Sequence, residues 1–437
     1  MFNTQRFKRL YAAFSSVFKK QSAFGSPLSA ADLDERHNCT LTFEDVVGRE
    51  MVYDCAEEDV VDEDTNTQLK RVRLNYPSIT PQRLFGWIGM LLSTVAAPTG
   101  TSANEVQTIT SDATGGTFTA TFAFEGLTAT TPALAYNITA TNFKKALENL
   151  SSIGEGNISS VTGTLATGFV VTFGGKLAKT NVPLISIGAG SLTGNSGAPT
   201  VAQTVQGGNK YHAATRSTDD TLAKTSFGFG YENNSEPALE YYDCVVESIT
   251  INLNRRRLLT AEIVLLGRFT PEELEAFDDP ECVILPGIKG EDCKIKINGQ
   301  YLLEEFWQGT ITLNNAVPTD EDAFPFSGPD VSNWERGDKP TYPLTFQILG
   351  SEGDTIGNLV KAGTKVGIEF LLGDAGNRCA LIFPNVLMKF ASNPIQYVGT
   401  KRRSAHNIEA TPHKDATLLA PFRAEAFLDQ TAAFLQS

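Results

Sequence analysis

The chain has 437 residues, enough for two or three domains, and its 41% hydrophobic content can fill real cores. A net charge of −14 argues against general affinity for nucleic-acid phosphates, while leaving room for passing contact with DNA. The six cysteines (39, 55, 244, 282, 293, 379) form no CxxC pair and the four histidines are scattered, so the sequence offers no metal cluster and its cysteines read as reduced thiols.

Residues 1–31 carry Arg6, Lys8, Arg9, Lys19 and Lys20 and no acid. Phe7, Leu10, Tyr11, Phe14, Val17 and Phe18 fall at helical spacing, which predicts an amphipathic basic arm docking on a partner or on its own domain. A signal peptide and an Arg/Ser-rich transit peptide are the competing readings. The apolar run from Phe85 to Ala97 is too short to span a bilayer, so the chain reads as soluble, with no membrane anchor.

Composition shifts sharply over residues 104–207, which contain no Cys, Trp, Arg, His or Met, five acids and four lysines. Thr117–Phe124 and Gly168–Phe173 alternate as half-buried strands do, and Phe143, Ala146, Leu147 and Leu150 predict a helix over Thr141–Leu150. The flanks Ala96–Ser102 and Gln206–Gly208 suit linkers, so the span reads as a β-rich module set into a loop. It is similar to a small Thr/Gly-rich domain of phage tail and bacterial surface proteins.

Without that span, one order of elements occurs twice. The first copy, 32–103 plus 208–285, has strands at Thr40–Phe43, Met51–Cys55 and Leu69–Asn75, a helix at Pro81–Leu92, then strands at Thr225–Tyr231, Asp243–Leu253 and Leu258–Leu266. The second, 286–437, has strands at Lys294–Ile297, Phe306–Leu313 and Tyr342–Leu349, a helix at Asp354–Lys361, then strands at Lys365–Leu371, Arg378–Phe383, Val386–Phe390 and Leu418–Phe427. Each copy carries a long acidic loop in its first hairpin, Glu57–Asp64 and Thr319–Asp322. Between the copies, Thr270-Pro-Glu-Glu-Leu-Glu-Ala-Phe277 has a capping threonine, Pro at the first helical position and early acids, predicting a short helix.

The order of Asp243–Ile251, Ile297-Asn-Gly299 with Gly309–Asn315, Pro340–Phe346 and Pro421–Phe427 resembles the tail tube proteins of long-tailed bacteriophages. The resemblance covers about three quarters of the chain. It implies a mainly β fold: duplicated tail-tube β-sandwich or barrel units, each with a helix, plus an inserted small β-rich, decoration-type domain with one helix. It implies a structural virion protein, not an enzyme, with no cofactor, assembled in the host bacterial cytoplasm and resident in the tail. Partners are further copies of itself, the tape measure and other tail proteins, and double-stranded DNA passing through the lumen. Two units per chain imply a trimeric ring with pseudo-six-fold symmetry; a hexamer is the default otherwise. About four inner strands per unit, ~4.8 Å apart and tilted ~40°, give a backbone diameter of ~48 Å, and side chains narrow it to a bore that admits a B-form duplex. Outside residues 104–207 the charge is −13, which suits a polar or acidic bore along which DNA slides.

Loop parity in the segment 243–267 selects the lumen candidates. A turn of three or five residues sets Ile251 against Ala261 and Ile249 against Ile263, leaving Ser248, Thr250, Asn252, Thr260 and Glu262 on the opposite face. The second copy offers Thr310, Thr312, Asn314, Thr345, Gln347 and Glu425. The competing reading is a merely solvated face. Arg255, Arg256 and Arg257 at the hairpin tip are candidates for contact with acidic loops of a stacked ring: Glu57, Glu58, Asp59, Asp62, Glu63 and Asp64, or Asp320, Glu321 and Asp322. Arg6, Lys8 and Arg9 of the arm are a second inter-ring set.

Catalytic patterns do poorly. Asp62-Glu-Asp-Thr-Asn-Thr67 resembles the start of a calcium loop but has Thr67 where glycine is needed and Arg73 where the bidentate glutamate belongs. No GxSxG, HExxH or P-loop occurs. Two other functions fit the sequence: another ring-forming tail component, such as a distal tail or terminator protein, or a host-surface binder acting through residues 104–207.

Overall fold

Alternation of apolar and polar residues governs most of the chain, and the protein is correspondingly mainly β, with three α-helices among the described residues. The computed structural model describes residues 10–22, 26, 28–45, 51–53, 60–63, 69–218, 221–231, 239–273, 286–302, 306–318, 336–337, 339–349, 355–398, 403–418 and 420–435.

Strands β1 (Leu10–Phe14), β2 (Glu35–His37), β3 (Thr40–Asp45), β4 (Met51–Tyr53), β5 (Val60–Glu63) and β6 (Leu69–Tyr76) precede helix α1 (Pro81–Leu92) and β7 (Ser93–Val95). Eight strands follow over residues 106–205: β8 (Val106–Thr110), β9 (Gly115–Phe124), β10 (Leu127–Thr130), β11 (Leu134–Ala135), then, after α2 (Ala140–Glu148), β12 (Ile158–Thr162), β13 (Phe169–Phe173), β14 (Ser186–Thr193) and β15 (Thr200–Val205). Next come β16 (Lys210–Arg216), β17 (Thr225–Tyr231), β18 (Leu239–Asn254), β19 (Thr260–Glu273), β20 (Lys294–Ile297), β21 (Gln300–Tyr301), β22 (Phe306–Asn314) and β23 (Leu344–Leu349). Helix α3 (Thr355–Ala362) leads to β24 (Lys365–Asp374), β25 (Asn377–Val398), β26 (Arg403–Pro412) and β27 (Arg423–Leu428).

Antiparallel pairing runs β2–β1–β17–β18–β19–β6–β3 on one side of the molecule. On the other it runs β21–β20–β24–β25–β26–β23–β22. The two series meet where β18 pairs with β22, Ser248 against Asn314 through Asn254 against Gln308. One apolar core serves both, from Phe14, Leu74 and Ile249 to Ile311, Phe346 and Phe383.

Helix α1 fills the first part of this core. Thr80 caps it by accepting from the Arg83 amide, and Pro81 stands in its first turn, where no intrahelical donor is needed. Every residue but Gln82 is buried. Gly86 is required here: a β-carbon would meet the Phe18 ring at 2.2 Å. Phe14 and Phe18 stand edge-on to Trp87, whose indole donates to Tyr76 Oη at 3.0 Å. His37 Nδ1 meets the same oxygen at 2.6 Å.

Residues 106–205 form two further four-stranded sheets, one of β9 with β10, β11 and β14, the other in the order β12–β13–β8–β15. Their core is separate, built on Phe118, Phe122, Phe143, Phe169 and Phe173. Ions tie them to the large sheet. The buried Glu125 carboxylate accepts from Arg378 at 2.6 Å and pairs with Lys294; Lys176 meets Asp292, and Lys179 meets Asp429, each at 2.5 Å. Asn209 donates to Gly376 O at 2.7 Å.

Four expectations are corrected. Leu10, Tyr11 and Phe14 of the arm belong to a strand, not a helix, because β17 offers an edge: Ala12 pairs with Phe229 and Ala13 with Gly228; Val17 and Phe18 follow the strand, and Phe7 lies outside the described residues. The predicted helix at 270–277 begins inside β19, since Leu239 and Glu240 pair with Glu273 and Glu272; residues 274–277 lie outside the described set. The acidic stretch 57–64 is not all loop, for Val60–Glu63 is strand β5 paired with β4. Arg378–Phe383 and Val386–Phe390 are one strand, and β26 fills a stretch that the sequence reading left without a strand.

Burial, with Arg83 nearby, holds the His37 imidazole well below its ordinary value. The unfolded chain therefore binds a proton that the folded one excludes. His37 favours the fold fully above about pH 6.5, and each pH unit below that removes roughly 1.4 kcal/mol until the depressed value is reached. Denaturant unfolding from pH 7 to 5 should show this slope, and His37→Gln should flatten it.

Candidate functional site

The hairpin of β18 and β19 has the register that its alternation requires. Ile251 faces Ala261, Ile249 faces Ile263, Thr250 faces Glu262 and Asn252 faces Thr260. Its connection is longer than the three or five residues expected: Leu253 to Leu259 lie between the last paired residues. Leu253 and Asn254 pair instead with Gly309 and Gln308 of β22, and the Leu259 amide donates to Ile288 O at 2.9 Å. The count stays odd, so the faces are preserved. Asn254 Oδ1 accepts from the Arg256 amide and Asn254 O from the Arg257 amide, which closes the turn without a left-handed residue at Arg257.

Cross-strand rows carry this face over eight strands in the order β3–β6–β19–β18–β22–β23–β26–β25. One row is Thr40, Asn75, Glu262, Thr250, Thr312. A second is Thr42, Arg73, Val264, Ser248, Asn314. A third is Asn252, Thr310, Thr345, Glu409, Lys389, and Gln308, Gln347 and Asn407 stand beside it. The reverse side of the same strands is core: Leu74, Ile263, Ile249, Ile251, Ile311, Leu313, Leu344, Phe346 and Ile408 are at most 2% exposed. A groove of about 560 Å³ runs along the polar face below the hairpin tip, between Asn252, Arg257, Thr310, Thr345 and Glu409.

Ten of the eleven lumen candidates thus share one face. Glu425 does not. Strand β27 lies between β16 and the first residues of β25, and the Glu425 carboxylate meets Arg423 Nε at 2.9 Å. At the tip, Arg256 and Arg257 are exposed and Arg255 is half-buried. Arg6, Lys8, Arg9, Glu57, Glu58, Asp59, Asp64, Asp320, Glu321 and Asp322 lie outside the described residues, and of Asp62 and Glu63 only the backbone of β5 is described.

The sequence reading named Glu262 on this face but missed its other charges. Arg71 grips Glu247 through two bonds of 2.6 and 2.9 Å, and that hydrogen bonding raises its guanidinium above its already high ordinary value. Arg73 bridges Glu262 at 3.2 Å and Glu44 at 3.0 Å, and Lys389 meets Glu409 at 3.0 Å. The signal was available: in Leu69-Lys-Arg-Val-Arg-Leu-Asn-Tyr76, burying Val72, Leu74 and Tyr76 forces Arg71, Arg73 and Asn75 to the other side. The surface is hydroxyls, amides and mutually cancelled charges.

Among the described residues no group of three or more His, Cys, Asp or Glu is placed to hold a metal ion. No described helix is long and apolar enough to cross a membrane. Burial pushes the Cys293 thiol up to about 12 and raises Cys244 and Cys379 further. No protein-family model matches the sequence, and no curated protein matches it.

The two arginines differ in burial, with Arg71 at 23% side-chain exposure and Arg73 at 38%. Arg71→Ala leaves the mostly buried Glu247 carboxylate without its cation and should cost about 1–3 kcal/mol of unfolding free energy. Arg73→Ala, in an exposed network, should cost about 0.5 kcal/mol. Urea titration of both variants checks the contrast.

Proposed function

We propose that this chain is a structural subunit of a long-tailed phage tail, assembling into stacked rings whose continuous sheet forms the tail tube. One observation carries the reading. The pairing order β2–β1–β17–β18–β19–β6–β3 and the order β21–β20–β24–β25–β26–β23–β22 follow the same sequence of chain steps, with α1 and α3 at the same step. We read this as a duplication of one unit, 10–103 plus 208–285 and then 286–437, with β1 of the arm belonging to the first copy and residues 104–207 inserted as a separate decoration-type body.

In this reading the β18–β22 junction is a ring contact captured inside one chain. It joins the fourth strand of one unit's polar sheet to the first strand of the next unit's. Strands β3 and β25 are left at the two ends of the eight-strand sheet, in the positions β22 and β18 occupy at the junction. Three chains then close a barrel of about 24 strands, whose bore admits a duplex, as the spacing and tilt of strands allow. The polar face lines that bore, and the core face packs against the helices and outer strands.

Electron microscopy of the purified full chain tests this. Rings of three chains with six-fold appearance, stacking into hollow tubes, are expected. Single rings that never stack favour a distal tail or terminator protein. A monomer at every concentration overturns the assignment.

A further inference from the structure

Two sheet edges have no neighbouring strand among the described residues. Strand β3 pairs only with β6, and residues 388–390 of β25 pair only with β26. Their counterparts at the within-chain junction are paired. Strand β22 holds Thr310-Ile-Thr-Leu-Asn314 where β3 holds Thr40-Leu-Thr-Phe-Glu44. The row Thr310, Thr345, Glu409, Lys389 repeats the row Thr40, Asn75, Glu262, Thr250. Residues 249–251 lie against β22, so residues 388–390 of one copy take the equivalent place against β3 of the next.

That register sets Met388 opposite Phe43 and Phe390 opposite Leu41 on the apolar side, with Lys389 opposite Thr42 on the polar side. The exposure of the isolated chain fits it. Phe43 is 36% exposed, whereas Ile249, Ile251, Ile311 and Leu313 at the within-chain junction are at most 1%. Phe43 stands where Leu313 stands, and only the missing neighbour separates their burial.

The two junctions differ in charge. The one inside the chain sets Ser248 against Asn314, Thr250 against Thr312 and Asn252 against Thr310, all uncharged. The one between copies brings Lys389 diagonal to Glu44 on the same face, a separation of roughly 7–8 Å between Cα atoms that a lysine spans. Each is already in a local pair, Lys389 with Glu409 and Glu44 with Arg73, so contact links Glu409, Lys389, Glu44, Arg73 and Glu262 into one network. We propose that Lys389 of one copy and Glu44 of the next form an ion pair confined to the junction between copies, laid over the Phe43–Met388 contact. It makes that junction, and not the one inside the chain, respond to ionic strength. This rests on the ring-forming reading above.

Sedimentation velocity of the full chain, at low and high ionic strength, tests it through Glu44→Gln, Lys389→Gln and the double variant. Each single change should raise the concentration of half-assembly about three- to tenfold at low ionic strength. The double variant should be no worse than either, since the two changes remove one interaction. Additive losses, or no loss, overturn the ion pair. Phe43→Glu tests the edge itself, because a carboxylate on the apolar side of a free edge blocks pairing. If it abolishes assembly while circular dichroism stays native, the edge contact stands and the Gln variants decide the pair. If it assembles as the parent does, edge contact and pair both fall. Phe43→Ser replaces it should the glutamate variant not fold.

Discussion

The structure turns on the pairing of β18 with β22. A sheet ends wherever a strand finds no partner, and each series of strands on its own would leave two polar–apolar ribbons with open backbone groups. Joining them makes one sheet of eight strands with a single core behind it. The junction holds because both strands alternate in phase. Ile249 and Ile251 meet Leu313 and Ile311 on one side, while Ser248, Thr250 and Asn252 meet Asn314, Thr312 and Thr310 on the other. A one-residue slip of β18 would turn Ser248, Thr250 and Asn252 toward the core and Ile249 and Ile251 away from it, so burial fixes the register.

How much of this was legible depended on whether local pattern or distant pairing decided each segment. The β18–β19 register could be read because Ile249, Ile251 and Ile263 leave one arrangement that buries all three. Helix α1 was equally clear, with Thr80 and Pro81 marking its start. Strand β26 was not. Its sequence Arg-Ser-Ala-His-Asn-Ile-Glu-Ala-Thr-Pro has little β-branched or aromatic content, and it is held by β23 and β25 on both sides. The same override made Leu10–Phe14 a strand, since helical spacing counts for less than a ready edge on β17. Glu425 was misplaced because its strand alternates correctly but sits in a different part of the sheet, which no short-range pattern encodes.

The attachment of residues 106–205 follows a different principle. Their chain enters and leaves through adjacent positions, and the buried Glu105 carboxylate fastens the two together by accepting from the Gly207 amide at 2.7 Å and from Gln203 Nε2 at 2.8 Å. Beyond this clasp, ion pairs link the span to the large sheet: Glu125, Lys176 and Lys179 are among the nine charged residues of the span 104–207, and each finds an opposite charge outside it. A span so poor in charge places three of its nine charges at one contact. Glu125 is the anchor, because its carboxylate is only 7% exposed and has two cations. Removing either cation would leave a buried anion partly compensated, whereas the exposed Lys179–Asp429 pair adds little.

The charge of the polar face bears on how it would treat a duplex in the proposed bore. Net charge suited a polar or acidic lining along which a duplex slides. The face instead holds three cations, Arg71, Arg73 and Lys389, each within 3.2 Å of a carboxylate. A phosphate binds a cation by releasing counterions, and that gain is largely lost when the cation's counterion is a fixed carboxylate of the same sheet. Arg71 is the extreme case, since both of its bonds to Glu247 would have to break before it turned to a ligand. In the proposed bore, sliding would follow from pairing of these charges on a local scale, three cations against four carboxylates, with hydroxyl and amide side chains between the pairs. A lining of this kind resists adhesion over a range of ionic strength, because screening weakens its internal pairs and its hold on phosphate together.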